Sequence, residues 1–331
     1  MRAAWYTKQG AARDVLEVGE LPDPGAGPGE VLVCVGASGV NPSDVKMRQG
    51  LRGPMPFPRV VPHSDGAGIV EAVGAGVDRS RVGERVWLWN GQWRRPLGTA
   101  AEKIALPAVQ AVRLPTSTSF VEGACLGIPA MTAHRAVFSD GPVDGQTILV
   151  TGGAGAVGFY AIQLAKWGGA TVITTVSSEE KAAHARGGGA DHVVDYKKED
   201  VAARVRELTA GRAADRIVEV DFGGNLAASR TALRQNGVIA AYASMGNLEP
   251  ALPAYPLMAM NATLRFLIVY EMPDTAKAEA CADIIRWLET GTARHAIARR
   301  FALDDIAAAH EEVETGKKIG QVIVSISNEL A

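Results

Sequence analysis

The residues best suited to chemistry lie between Gln146 and Lys181. Gly153-Ala154-Gly155-Ala156-Val157-Gly158 is a complete G-x-G-x-x-G. Glycines at this spacing suit a tight turn out of a strand at Gly153, close approach of a pyrophosphate at Gly155, and close packing of the following helix at Gly158. The helix N-terminus then offers unpaired N–H groups and the positive end of its dipole to phosphate. The implied chemistry is dinucleotide binding, set against a Gly-rich turn that is merely structural. The next strand indicates which dinucleotide. It ends in Thr175-Val176-Ser177-Ser178, without the Asp or Glu that commonly holds a ribose 2′-OH, and Lys181 follows one helical turn on. Small hydroxyls and a cation suit a 2′-phosphate, so the pattern favours NADPH. In the competing reading, Glu179, Glu180 and Lys181 decorate an exposed helix start, where acids suit the dipole.

No Ser-His-Asp arrangement, paired-carboxylate set or nucleophilic cysteine stands out. Cys34, Cys125 and Cys281 are scattered, form no C-x-x-C pair and read as core. Redox chemistry would therefore belong to the nicotinamide, with the protein aligning its partner and excluding water.

The elements around these residues form two patterns. Residues 1–122 read as short strands (2–7, 16–20, 30–40, 67–73, 84–88 and 101–106) broken by turns such as Pro22-Asp23-Pro24-Gly25, which implies a barrel-like β domain. From about Gly123 strands alternate with helices. Beyond the Gly-loop unit, strands are expected at 190–196, 216–220, 237–243 and 264–270, and helices at 178–186, 200–210 and 226–235. That alternation predicts a doubly wound parallel sheet. A helix over 275–290, another from Asp304-Asp305 and a closing strand at 320–326 would return the chain to its first domain. The expected boundaries are 1–124, 125–270 and 271–331. At 331 residues, with 47% hydrophobic and 21% charged residues, the chain has core enough for two domains. A net charge of −2 gives no pull toward nucleic acid or anionic membrane. No apolar run approaches the ~18 residues of a membrane span, and the first ten residues lack the apolar core of a signal peptide. A reducing cytoplasm is the expected location.

The motifs and their order resemble the medium-chain dehydrogenase/reductase superfamily, most closely its zinc-independent, zeta-crystallin-like quinone oxidoreductases. The matching text spans nearly the whole chain: Gly39-Val40-Asn41-Pro42-Ser43-Asp44, residues 64–74, Gly83-Glu84-Arg85-Val86, residues 127–133, the Gly loop and Gly188-Gly189-Ala190-Asp191. Zinc alcohol dehydrogenases carry Cys where this chain has Asn41 and His-Glu where it has Ser64-Asp65. Residues 87–98 contain no cysteine for a structural zinc lobe. No metal is therefore expected, and His63 reads as a loop or pocket histidine.

The resemblance implies a Rossmann sheet inserted into a GroES-like domain, with hydride transfer from NADPH to quinones or to the C=C bond of activated enones. It also implies site residues. Asn41 would lie near nicotinamide and substrate and meet charge developing on the acceptor oxygen, with Lys46, where relatives often have Tyr, as a second donor. Thr132 would contact the nicotinamide side of the cofactor. Gly153, Ala154, Gly155, Ala156, Val157 and Gly158 would form the pyrophosphate loop. Lys181 and Tyr196 would grip the 2′-phosphate, beside the Ser177 hydroxyl that the strand end itself offers, although a Tyr at a strand end is equally read as an amphipathic residue. Ser244 and Gly246 would line the nucleotide groove, and the backbone of Phe266, Ile268 and Val269 would hold the carboxamide. Trp87, Trp89 and Trp93 could stack a flat acceptor, fill the domain core or form a subunit contact. A homodimer is expected by analogy. Two alternatives stand beside the reductase: a non-catalytic NADPH-binding sensor or structural protein, and a zinc-type alcohol dehydrogenase.

Overall fold

The computed structural model describes residues 1–327 and resolves into two compact units, Pro129–Trp287 and Met1–Ile128 joined by the segment from Leu288 onward. The expected boundaries fell after residues 124 and 270. The units instead change over later in each case, within the helices Gly127–Phe138 and Asp274–Glu289.

Pro129–Trp287 holds a six-stranded parallel sheet. Its strands stand in the order His192–Asp195, Thr171–Val176, Thr147–Val150, Ala214–Glu219, Leu233–Ala241 and Thr263–Phe266. Counted along the chain this is 3-2-1-4-5-6, the doubly wound order of dinucleotide folds. Ile148, Leu149 and Val150 are buried, as a strand covered on both faces requires. The order reverses between Thr147–Val150 and Ala214–Glu219, so the crevice beyond their carboxyl ends is where such a sheet takes its ligand. Leu149, Ile173, Val205, Ile217, Phe222 and Ile239 share one core cluster.

Two elements differ from expectation here. The helix expected at 226–235 is Phe222–Ala232, and Leu233 already opens the next strand. The Asp221 side chain caps this helix by accepting from the Gly224 N–H, which starts it ahead of Leu226. The strand expected at 264–270 stops at Phe266. Leu267 N–H donates to the Ala241 carbonyl, after which Val269–Glu271 forms a 3-10 turn.

The other unit is built on a mainly antiparallel sheet in the order Ile297–Ala302, Gln321–Ser325, Glu30–Val40, Asp65–Val73, Arg85–Leu88 and Ala111–Arg113, with Lys103–Pro107 also pairing with Glu30–Val40. The C-terminal strand Gln321–Ser325 runs antiparallel to Glu30–Val40, with Val322 opposite Val40. Val31, Val33, Val35, Val70, Val86, Leu88, Ile104 and Leu106 form one core cluster, as the alternation in these strands demands. The helix Pro42–Arg48 was not foreseen, although Pro at its first position is pre-set for a helix and Asp44 accepts the Asn41 N–H at 2.7 Å.

Candidate functional site

Within Pro129–Trp287 the Gly loop leaves the strand Thr147–Val150 at its carboxyl end and opens the helix Ala156–Trp167, capped by Gly155. The turn falls one residue earlier than expected. Gly152, with φ +68°, takes the left-handed conformation that the sequence reading assigned to Gly153. Gly153 serves close packing instead: a Cβ there would stand 2.0 Å from Thr174 Oγ1 on the neighbouring strand. A Cβ on Gly158 would lie 2.3 Å from the Gly152 carbonyl oxygen, so this glycine seats the helix on the loop itself. At Gly155 a Cβ would meet nothing nearer than the Gly152 oxygen at 3.4 Å. That side of the loop is open, as an approaching phosphate requires.

Ser177, Lys181 and Tyr196 come together. Lys181 Nζ donates to Ser177 Oγ at 3.2 Å, and the Tyr196 N–H donates to the Val176 carbonyl at 3.1 Å, which places Tyr196 beside the end of the same strand. The Tyr196 side chain is half exposed. Ser178 caps the following helix by accepting the Lys181 N–H, leaving the Lys181 side chain independent of the cap. Glu179 is paired with Arg186, so it does not neutralise the lysine.

A carboxylate that sequence reading missed organises the adjoining loops. Glu219, fully buried at the end of Ala214–Glu219, accepts from Thr151 Oγ1 (2.8 Å), the Asp221 N–H (2.7 Å), Asn225 Nδ2 (2.8 Å) and Ser229 Oγ (2.7 Å). The available signal was an acid inside the apolar run Arg216-Ile217-Val218-Glu219-Val220. Ser244 and Gly246 are occupied locally. Ser244 Oγ accepts the Gly223 N–H and donates to the Asn247 carbonyl, and the Gly246 N–H donates to Asp221. They tie the loop after Leu233–Ala241 to the loop after Ala214–Glu219. Phe266 and Ile268 are exposed, Val269 is buried, and Phe266 meets Phe222 edge-on at 5.0 Å. Thr132 is buried in the helix Gly127–Phe138.

In the other unit, Asn41 is buried between two partners. Its Nδ2 donates to Asp65 Oδ2 at 2.7 Å and its Oδ1 accepts from Gln321 Nε2 at 2.9 Å. Asp65 Oδ1 accepts the Ile128 N–H at 2.8 Å, and a Cβ on Gly127 would lie 2.2 Å from it. Burial raises the Asp65 carboxyl pKa well above the usual range, opposed by the Asn41 hydrogen bond. Lys46 is half-buried on the helix Pro42–Arg48, and burial followed by the Arg52 charge lowers its ammonium pKa.

His63 is fully buried with φ +77°, and both ring nitrogens are engaged. Arg48 Nε donates to His310 Nδ1 at 3.4 Å, so His310 Nε2 carries the proton that faces His63 Nε2 at 2.9 Å. His63 Nδ1–H is then left to donate to Ser38 Oγ at 2.8 Å. Ser38 reaches Thr99 Oγ1 at 2.7 Å, and Thr99 donates to the Asp65 carbonyl at 2.6 Å. Every donor points the same way. Burial pushes the His63 pKa down to about 3, and burial with the neighbouring His63 and Arg48 lowers that of His310, so these two imidazoles stay neutral near pH 7. Among the described residues, no three His, Cys, Asp or Glu side chains group as metal ligands.

The tryptophans separate. Trp87 is fully buried and Trp89 nearly so, which places Trp87 in the core rather than on a stacking surface, whereas Trp93 is half-buried beneath Arg94.

Asp44 provides a pH test. Burial raises its carboxyl pKa to about 7. An acid held protonated in the fold contributes stability below its unfolded pKa and loses that contribution as pH rises to about 7. Asp44→Asn cannot ionise. Its stability relative to the parent should therefore rise between pH 4 and pH 7. Urea midpoints across that range check this; a constant difference contradicts it.

Comparison with known proteins supplies the context. Residues 27–116 match the alcohol dehydrogenase GroES-like domain family and residues 156–289 the zinc-binding dehydrogenase family. A quinone oxidoreductase of Pseudomonas aeruginosa is 33% identical over 318 residues, covering 94% of this chain and 95% of that one. A 2-haloacrylate reductase of a Burkholderia species is 30% identical over 333 residues, covering 98% of each. Among solved structures, a mycobacterial protein complexed with NADPH superposes with a TM-score of 0.86 at 29% identity, covering 98% of this chain and 100% of that one.

Proposed function

Because this chain belongs to the quinone oxidoreductase branch of the medium-chain dehydrogenase/reductase superfamily and is an oxidoreductase, we propose that it reduces quinones or the C=C bond of α,β-unsaturated carbonyl compounds with NADPH. The carrying observation is the Ser177–Lys181 pair beside Tyr196, at a strand end without an acid, next to a glycine turn with its outer side open. These groups fit a dinucleotide bearing a 2′-phosphate. NADPH, when bound, supplies the hydride.

The chain's own contribution is binding and orientation. The N–H groups of Ala154, Ala156 and Val157, with Gly153, Gly155 and Gly158 keeping the loop close, would hold the pyrophosphate. Ser177, Lys181 and Tyr196 would hold the 2′-phosphate. Thr132 and the backbone of Phe266, Ile268 and Val269 remain the proposed nicotinamide contacts. Ser244 and Gly246 would line the nucleotide groove from the loop that they tie in place.

Asn41 gives one Nδ2 hydrogen to Asp65, and its second is the one left for an acceptor oxygen. Asp65 and Gln321 thus set the rotamer of Asn41. Lys46 is the second candidate donor. The proton that completes the reduction is assigned to solvent, since an enolate or hydroquinone oxygen is readily protonated. No metal enters this reading: Asn41 and Asp65 satisfy each other where a zinc enzyme places ligands.

Phe266 on the edge strand Thr263–Phe266, Ile268 after it, and Tyr255 and Met258 on the helix Ala254–Ala259 before it are exposed, which supports pairing of two copies there. Sedimentation at twice the chain mass bears this out, and sedimentation at the chain mass overturns it.

The activity is tested by NADPH consumption over a panel of quinones and enones. Turnover on either class supports the reading and selects between them. Silence on both, with NADPH still bound, would transfer the assignment to a sensor or structural role.

A further inference from the structure

A second cavity lies wholly within Pro129–Trp287, at the opposite edge of the parallel sheet from the Gly loop. It is lined by Gly141, Pro142 and Val143, which precede the strand Thr147–Val150, and by Trp167 and Gly168, which precede Thr171–Val176. His134 and Phe138 line it from the helix Gly127–Phe138, and Glu279, Ala282, Asp283 and Arg286 from the helix Asp274–Glu289. Its volume is about 460 Å³, inside the range of roughly 300–1,000 Å³ of small-molecule sites.

Three rings form its wall. His134 and Phe138 lie 5.0 Å apart and tilted, and Phe138 meets Trp167 edge-on at 6.1 Å. Gly168 keeps the cavity open. A Cβ there would come within 2.9 Å of Phe138 Cε1 and 2.8 Å of Val143 Cγ2, displacing the wall.

The polar groups select what the space accepts. His134 is 5% exposed, and its Nε2 lies 2.8 Å from Asp283 Oδ2. A carboxylate only accepts, so Nε2 carries the proton. Burial lowers the His134 pKa, which leaves the ring neutral and Nδ1 an acceptor. No donor reaches Nδ1 among the described residues. Arg286 is already paired with Asp283, and Glu279 adds a further carboxylate to the lining. An anion therefore finds no uncommitted cation, whereas a neutral ring carrying one hydroxyl finds an aromatic wall and an acceptor.

The geometry points to an accessory site for a neutral phenolic ring, stacked against Phe138 and Trp167 with its hydroxyl donating to His134 Nδ1. The assignment does not rest on the reductase reading, since phenol accepts no hydride. A hydroquinone belongs to the same chemical class, so the site would register the product of quinone reduction should that reading hold.

The test is calorimetric titration of the whole protein, saturated with NADPH, with phenol and separately with benzoate. Ala282 is an exposed helix residue on the lining, so Ala282→Phe fills the cavity without disturbing the core. That variant should lose the phenol-binding event, and His134→Phe, which keeps the ring but not the acceptor, should weaken phenol about tenfold. Benzoate should give the same heats in the parent and in Ala282→Phe. Identical phenol isotherms for the parent and Ala282→Phe would overturn the proposal, as would benzoate binding as well as phenol and being lost with it.

Discussion

Lys181→Glu is expected to raise the Kd for NADPH about a hundredfold, roughly 2.7 kcal/mol, while changing that for NADH by less than about threefold. A charge-assisted hydrogen bond to a phosphate contributes about 1.5–3 kcal/mol, and the introduced acid adds repulsion. Only the 2′-phosphate distinguishes the two dinucleotides. Ser178 uses the backbone N–H of residue 181 for its cap, so the helix Glu179–Gly187 keeps its start in the variant. Fluorescence titration with both nucleotides checks the difference. Equal weakening of NADPH and NADH would remove Lys181 from the phosphate site and point to a general loss of loop order.

Glu219→Ala is expected to destabilise the protein by about 4 kcal/mol. The substitution leaves the Thr151 hydroxyl, the Asp221 N–H, the Asn225 amide and the Ser229 hydroxyl without their buried acceptor. Two of these lie in the loops at the carboxyl edge of the sheet, so NADPH affinity should fall with stability. Glu219→Gln is the informative control. Its carbonyl can still accept the three donors that meet Oε1, and its amide can face Ser229 with the hydroxyl turned to accept, so the loss should be about 1 kcal/mol. Urea midpoints order the variants; an alanine variant as stable as the glutamine one would show that the donors find other partners.

The parallel sheet was legible because its signals are local. The glycine spacing, and the strands and helices that alternate after it, each carry their own backbone physics, and together they call for a parallel, doubly wound sheet. The gathering of Ser177, Lys181 and Tyr196 was legible for the same reason, since adjacent parallel strands end together. Which glycine turns the chain was not. Gly152 and Gly153 are chemically identical, and only the neighbouring Thr174 decides which of them must lack a Cβ.

Long-range partners were also hidden. Asn41 was visible as a family position, but Asp65 and Gln321 reach it from separate strands, and nothing local to either announces the contact. The chain of polar groups from Arg48 through His310 and His63 to the Asp65 carbonyl joins residues more than 260 positions apart. Trp87 shows the converse. Three tryptophans close in sequence left stacking, core and subunit contact open, and burial of the strand Arg85–Leu88 on both faces puts Trp87 in the core.

The most direct measurement is steady-state oxidation of NADPH by the purified protein with a quinone as acceptor, followed beside NADH at the same concentrations. A reductase built on this 2′-phosphate site forms one hydroquinone per NADPH consumed, with kcat/KM for NADPH at least about tenfold above that for NADH. Equal use of the two nucleotides, or no oxidation of NADPH by quinone or enone, would contradict it.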